Sequence, residues 1–465
     1  MADPAMSVSP YWELTFDADG DVDQEERDRL LREVRQRGVG ELIVFAHGWN
    51  SRRSTATHLY SRFFAPIPRL APKAGIGYVG VIWPSMEFPD QPVPSFPRST
   101  VAAAGPAAPP ALDDETRHAL LDTFPGKATV IDQIARMLDQ QPGQDTELEE
   151  FGRLVRALVE VVPPGPQALF GADTLAEGVP QCEPRMLAVG AAAEVCDQFA
   201  RALAHLADPR SPGPETEFAL PNPWQGAREL LRQAAYFAMK RRAGTVGERG
   251  LGPVVGRLAA VAPEVRVHLV GHSFGGRLVS FALRGLPEGV HTVKSVTLLQ
   301  GAFSHYAFAA RLPDDPRTGG VLQGQQNRVD GPLVCCFSHC DSALGTIYPL
   351  ASRMADDDRS FTALDIGRVL GAKWGAMGHD GVQAVPGTRS VTLAEALDSP
   401  LPTSGCVNVD ACAVVCHGGA PSGAHSDIVH PELARVVLAA GRTPGPSRCA
   451  SRCSRRRRRS RPPTR

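Results

Sequence analysis

Residues 265–276, Val-Arg-Val-His-Leu-Val-Gly-His-Ser-Phe-Gly-Gly, admit few folds. Val265, Val267, Leu269 and Val270 make a short, β-branched apolar run that reads as a buried strand. Gly271 ends the run. Leu278, Val279, Phe281, Ala282 and Leu283 then recur at helical spacing. The strand must therefore pass into the helix through a very tight turn at His272-Ser273. A turn that sharp forces the central serine into a strained conformation, and side chains at Gly271 and Gly275 would collide with neighbouring backbone. The strain would lift the Ser273 hydroxyl above the sheet edge. The Phe274 N–H, opening the helix, would face the same space.

A buried strand feeding a helix is a unit of parallel sheet, and the chain supplies more of them. Residues 41–46 form a fully apolar strand that stops at His47-Gly48-Trp49-Asn50. Residues 78–83, 293–299, 332–338 and 406–415 read as further strands, and 11–17 alternates like a half-exposed edge. A helix at 24–37 separates the first two. This alternation predicts an α/β fold, a mostly parallel sheet with helices on both faces. Between 89 and 235 the pattern changes. Pro-rich stretches at 89–110 and 208–223 bracket helical periodicity at 112–123, 127–140, 146–161 and 185–207, and a helix at 225–242 returns to the core. The expected organisation is a first core part at 1–88, a mainly helical insertion and candidate cap at 89–235, a second core part at 236–441, and a basic tail at 442–465. The tail, rich in Arg, Ser and Pro, has nothing to bury and reads as disordered. Residues 351–404 read as loops.

Composition narrows the function. With 43% hydrophobic residues in 465, a sizeable core is available, and a formal net charge of −1 implies no global electrostatic partner. Basic charge concentrates in the tail, so nucleic acid is not the expected partner. No apolar run approaches the ~18 residues of a membrane span. The first residues lack a basic-then-apolar signal, so the expectation is a cytoplasmic protein whose ten cysteines stay reduced. Cys412, Cys416 and His417 are spaced loosely like metal ligands, but Cys412 lies in a strand-like run. Asp17, Asp19, Asp21 and Asp23 alternate, yet the Gly and final Glu of a calcium loop fall at the wrong offsets. No metal or organic cofactor is expected. No Gly-rich loop pairs with a catalytic-loop Asp and a metal-binding Asp, which argues against a protein kinase.

A serine alcohol attacks only when a base takes its proton, and the base needs a partner to fix its tautomer. Asp341 follows the 332–338 strand, and His425 sits in a glycine loop after the last strand. Parallel strands would bring both to the edge that carries Ser273. Asp427 competes for the acid, and His417 and His379 compete for the base; His272 and His430 read as structural. With Asp341 and His425 the order is Ser, Asp, His.

In these motifs the chain resembles the α/β-hydrolase serine hydrolases, the esterases and lipases, over roughly residues 11–85 and 240–441. Gly271-His272-Ser273-Phe274-Gly275 matches their nucleophile elbow, and His47-Gly48-Trp49 resembles their His-Gly-X oxyanion turn. The resemblance implies Ser273 as nucleophile, Asp341 as acid and His425 as base. The Trp49 and Phe274 amides would hold the oxyanion, with Gly48, Gly271 and Gly275 as turn glycines. It implies a small-molecule or lipid acyl substrate and no cofactor, with Trp49 and Phe303 as candidate liners of an acyl pocket. Asp341 and His425 lie 84 residues apart, longer than that family usually shows. The other readings are a non-catalytic binding protein on the same fold and a nucleic-acid-associated protein acting through the arginine tail. The sequence leaves the oligomeric state open.

Overall fold

A computed structural model describes residues 6–49, 51–72, 74–86, 112–159, 168–176, 191–207, 222–348, 375–419 and 423–443. The strands, in chain order, are β1 Tyr11–Thr15, β2 Glu41–Ala46, β3 Ile76–Ile82, β4 Thr174–Ala176, β5 Arg266–His272, β6 Val293–Leu299, β7 Thr318–Gly320, β8 Pro332–Phe337, β9 Arg389–Thr392 and β10 Gly405–Asp410. Eight of them form one sheet in the order β1-β3-β2-β5-β6-β8-β10-β9, with every pairing parallel. β4 and β7 pair antiparallel, apart from it.

The apolar runs are continuous because both faces of the sheet are covered. Leu42, Val44 and Ala46 of β2 join one buried cluster, and Ile43 and Phe45 join another. The first cluster takes in Gln24–Gln36, Pro223–Thr245, Gly252–Val261 and Phe274–Arg284; the second takes in Arg53–Phe64, Leu393–Asp398 and Pro431–Gly441. On the second face Phe45 meets Tyr60, Phe63 and Phe64 with ring centroids 5.2, 4.9 and 6.1 Å away. Truncating so enclosed a ring to Ala costs about 3–5 kcal/mol.

The helices Asp114–Thr123, Ala128–Gln140, Asp145–Val159 and Ala192–Ala207 gather around the long helix Pro223–Thr245. Asn222 caps that helix by accepting from the Trp224 N–H, with Pro223 at its first position. Ile131, Phe151 and Phe199 share the cluster that lines the first sheet face, so these helices and the sheet have one continuous apolar interior. The long helix runs unbroken past residue 235. It continues through a π-helical stretch, Val246–Leu251, into Gly252–Val261.

Two readings change. The last strand stops at Asp410, because the Asp410 carboxylate accepts from the Cys412 N–H at 2.9 Å and starts a turn. The stretch read as loops holds the short helix Met377–Asp380, β9 and the helix Leu393–Asp398, whose Thr392 and Glu395 form a capping box. Residues 89–110, most of 208–223, Asp356-Asp357-Asp358 and the tail from 444 lie outside the described residues. Among the described residues no helix is long and apolar enough to cross a membrane.

At the opposite end of the strands from Ser273, a buried polar series runs through the sheet. His268 Nε2 lies 2.7 Å from Glu41 Oε2, and its Nδ1 lies 2.9 Å from Ser295 Oγ. All three residues are buried.

Candidate functional site

Ser273 links β5 directly to the helix Phe274–Arg284, with φ 54° and ψ −121°. A non-glycine residue at positive φ is strained, and here the surroundings hold it. Its N–H donates to the Leu299 carbonyl at 3.0 Å. Its carbonyl accepts from Gly276 at 3.0 Å and Ala302 at 3.3 Å. A Cβ on Gly275 would run into the Ala46 carbonyl, and one on Gly271 into the Gly275 carbonyl. A Cβ on Gly48 would stand 2.8 Å from Ser273 Cβ, so the 47–49 turn lies directly against the serine.

Asp341 and His425 arrive from the ends of β8 and β10. His425 Nε2 lies 2.9 Å from Ser273 Oγ, and its Nδ1 lies 2.7 Å from Asp341 Oδ2. The other Asp341 oxygen accepts from the Leu344 N–H at 3.0 Å, and the side chain is fully buried. The two loops are stitched together. Ala424 N–H donates to the Cys340 carbonyl at 3.0 Å, and Ser338 Oγ donates to the Val415 carbonyl at 2.7 Å while accepting from Cys340 N–H. The three side chains thus stand in one hydrogen-bonded series despite the 84-residue separation of Asp341 and His425.

Two further histidines frame the series. Burial pushes the His47 imidazole down to about 4, against the pull of its bond to the Gly48 carbonyl. Its Nδ1–H donates to that carbonyl at 2.8 Å, and Trp83 Nε1–H donates to the His47 carbonyl at 3.0 Å. Fixing the Gly48 carbonyl also fixes the Trp49 N–H, which points the opposite way across a planar trans peptide. Burial, then the facing His425 ring, pushes His272 down to about 3. Neutral His272 donates from Nε2 to the His425 backbone carbonyl at 2.9 Å. The Phe274 amide heads its helix, where no intrahelical acceptor exists.

Comparison with known protein families, curated proteins and solved structures finds no match.

The competing residues are engaged elsewhere. Asp427 accepts from the Cys416 and His417 N–H groups at 3.1 and 2.9 Å and from His430 at 2.8 Å, closing the loop that carries His425 on itself. His379 is bound to Asp380 at 2.7 Å, and His417 is largely exposed. Phe303 is core, with its ring 6.5 Å from Phe308. Trp49 lies near Phe274, at 6.2 Å, and near Tyr236 of the long helix, at 5.8 Å. Sequence reading missed Tyr236, Ser338 and the bond from His272. Tyr236 carries no local motif, and the role of His272 depends on a carbonyl 153 residues away. Among the described residues two groups have metal-ligand chemistry: Cys416, His417 and Asp427, and His339, His379 and Asp380.

Proposed function

We propose that the chain is an α/β-hydrolase-like serine hydrolase that cleaves an ester or related acyl bond. The supporting observation is the Asp341–His425–Ser273 series, ending on a serine at positive φ between a parallel strand and a helix. His425 Nε2 takes the hydroxyl proton as Ser273 Oγ attacks the acyl carbon. The Asp341 carboxylate holds Nδ1–H and stabilises the imidazolium. The Trp49 and Phe274 amides receive the developing oxyanion, in the positive end of the elbow helix. Collapse expels the alcohol, which takes its proton from His425. Water, deprotonated by the same nitrogen, then releases the acid and restores Ser273. Trp49, Tyr236 and Phe274 bring apolar rings to this corner, which suits an acyl chain.

A fluorophosphonate tests this directly. The probe should attach to Ser273, and Ser273→Ala should lose both labelling and ester hydrolysis while unfolding at the wild-type urea concentration. Undiminished labelling of Ser273→Ala at another serine would sink the assignment.

His272 offers a separate check. His272→Phe keeps a buried ring and removes the donor to the His425 carbonyl. An unsatisfied buried acceptor costs about 1–3 kcal/mol, which here appears as a fall in kcat of roughly 5- to 160-fold with KM little changed. His272→Gln, which can place an amide donor near Nε2, should recover part of it. An unchanged kcat in His272→Phe would remove His272 from the positioning of the base.

A further inference from the structure

We propose that His339, His379 and Asp380 bind a divalent transition-metal ion of the zinc class. The ion would clamp the turn that carries Asp341 to the segment that follows it. His339 stands on the turn after β8, two residues before Asp341. His379 and Asp380 end the helix Met377–Asp380. One ligand atom from each lies within 4.8 Å of the others, and the two imidazoles meet edge to face at 4.9 Å. Zinc holds nitrogen and oxygen donors at about 2.0–2.2 Å, so side-chain rotation can close the set around an ion.

Two imidazoles and one carboxylate form a borderline donor set that suits Zn²⁺ and Co²⁺ over the hard cations. The carboxylate is already oriented. His305 Nδ1 holds Asp380 Oδ2 at 3.0 Å, leaving Oδ1 toward His379. Such an outer partner fixes a ligand in place before the ion arrives. A Cβ on Gly345 would stand 2.8 Å from His379 Nε2, so that nitrogen is packed against backbone. This leaves Nδ1, the atom facing Asp380 Oδ1, to ligate. The ion takes the place of the hydrogen bond between these two atoms, and the neutral His379 imidazole then carries its one proton on Nε2. His339 is exposed, which gives the ion an entry and leaves room for water to complete the coordination.

The second group is poorer. The Asp427 carboxylate is already occupied by two backbone N–H groups and His430. The 84-residue separation of acid and base also acquires a use, because the extra chain supplies two of the three ligands. Ion binding does not depend on the hydrolase reading; only the effect of the clamp on hydrolysis does.

The test is titration of the chelator-stripped full chain with Co²⁺, whose visible absorption reports coordination. Saturable binding should appear with the d–d bands of a nitrogen- and oxygen-ligated site and no thiolate charge-transfer band, and Zn²⁺ should displace it. His339→Ala, at an exposed position outside the core, and His379→Ala should each weaken binding by tenfold or more. Cys416→Ser should leave it unchanged. Ser273→Ala should bind like wild type, so the result is independent of any hydrolysis. Absence of saturable binding, binding indifferent to His339→Ala, or a thiolate band that disappears in Cys416→Ser would overturn the proposal.

Discussion

His425→Ala should lower the rate of ester hydrolysis by roughly 10⁴- to 10⁶-fold, and adding Ser273→Ala should cost almost nothing more. The hydrogen-bonded series makes the two residues one device. Without a base at 2.9 Å the hydroxyl keeps its proton, and without the hydroxyl the base has nothing to activate. Asp341→Asn should cost roughly 10³- to 10⁴-fold, because an amide donates where the carboxylate accepts and so favours the wrong imidazole tautomer. Hydrolysis of an activated acyl ester by the single and double variants measures this. Penalties that multiply would mean that Ser273 and His425 act separately.

Asp173→Asn should lower stability at pH 7 by about 3–5 kcal/mol, as expected when one partner of a buried ion pair is removed. Asp173 is the carboxylate between two buried cations. Lys240 Nζ lies 2.7 Å from it, Arg277 pairs with its other oxygen, and Tyr348 Oη and the Ser304 N–H donate at 2.7 and 3.1 Å. Arg277 is fully buried and also donates to the Phe170 and Ala172 carbonyls, both at 2.7 Å. Asn in place of Asp would leave both cations without their counter-charge. The cluster joins the 168–176 segment to the long helix and to the elbow helix, four residues beyond Ser273.

The same cluster fixes a pH dependence. Burial disfavours the Asp173 carboxylate, but Lys240 and Arg277 outweigh it and hold the group at about 2, below its ordinary 3.8. A carboxylate depressed on folding stabilises above its unfolded value and loses that contribution as pH falls through the folded one. The difference corresponds to about 2 kcal/mol, present above pH 4 and lost between pH 4 and 2. Urea unfolding of wild type and Asp173→Asn should therefore draw closer by about 2 kcal/mol as the solution is acidified over that window. Equal midpoints at pH 7 would show that the cluster does not hold these elements together.

Much of the sheet was legible because parallel strands buried on both faces must be apolar throughout. The 41–46 run coincides with β2, and the turn after β5 needed its glycines for reasons a sequence displays. β9 escaped because its four residues, Arg-Ser-Val-Thr, are mostly exposed and carry no apolar run. β4 and β7, three residues each, are shorter than any periodicity. At the site, Ser273 announced itself through local strain. Asp341 and His425 were placed only by assuming that strand ends share an edge. The bond from His272 to the His425 carbonyl belongs to tertiary contact alone.

The buried Glu41–His268–Ser295 series bears on what would make an alcohol reactive. It contains the same three kinds of group in the same order, at 2.7 and 2.9 Å, but with the ring turned round: the carboxylate meets Nε2 and the hydroxyl meets Nδ1, the reverse of His425. Ser295, however, lies within β6, sealed from solvent, with no helix opening beside it. The chain thus holds its own internal control. The kinds of partner recur at the two ends of one sheet, and the backbone of the two serines differs: Ser273 sits at positive φ with a helix starting on the next residue, whereas Ser295 lies inside a strand. A search for reactive serines that scored side-chain partners alone would return both, whereas one that scored the torsion of the serine would return Ser273.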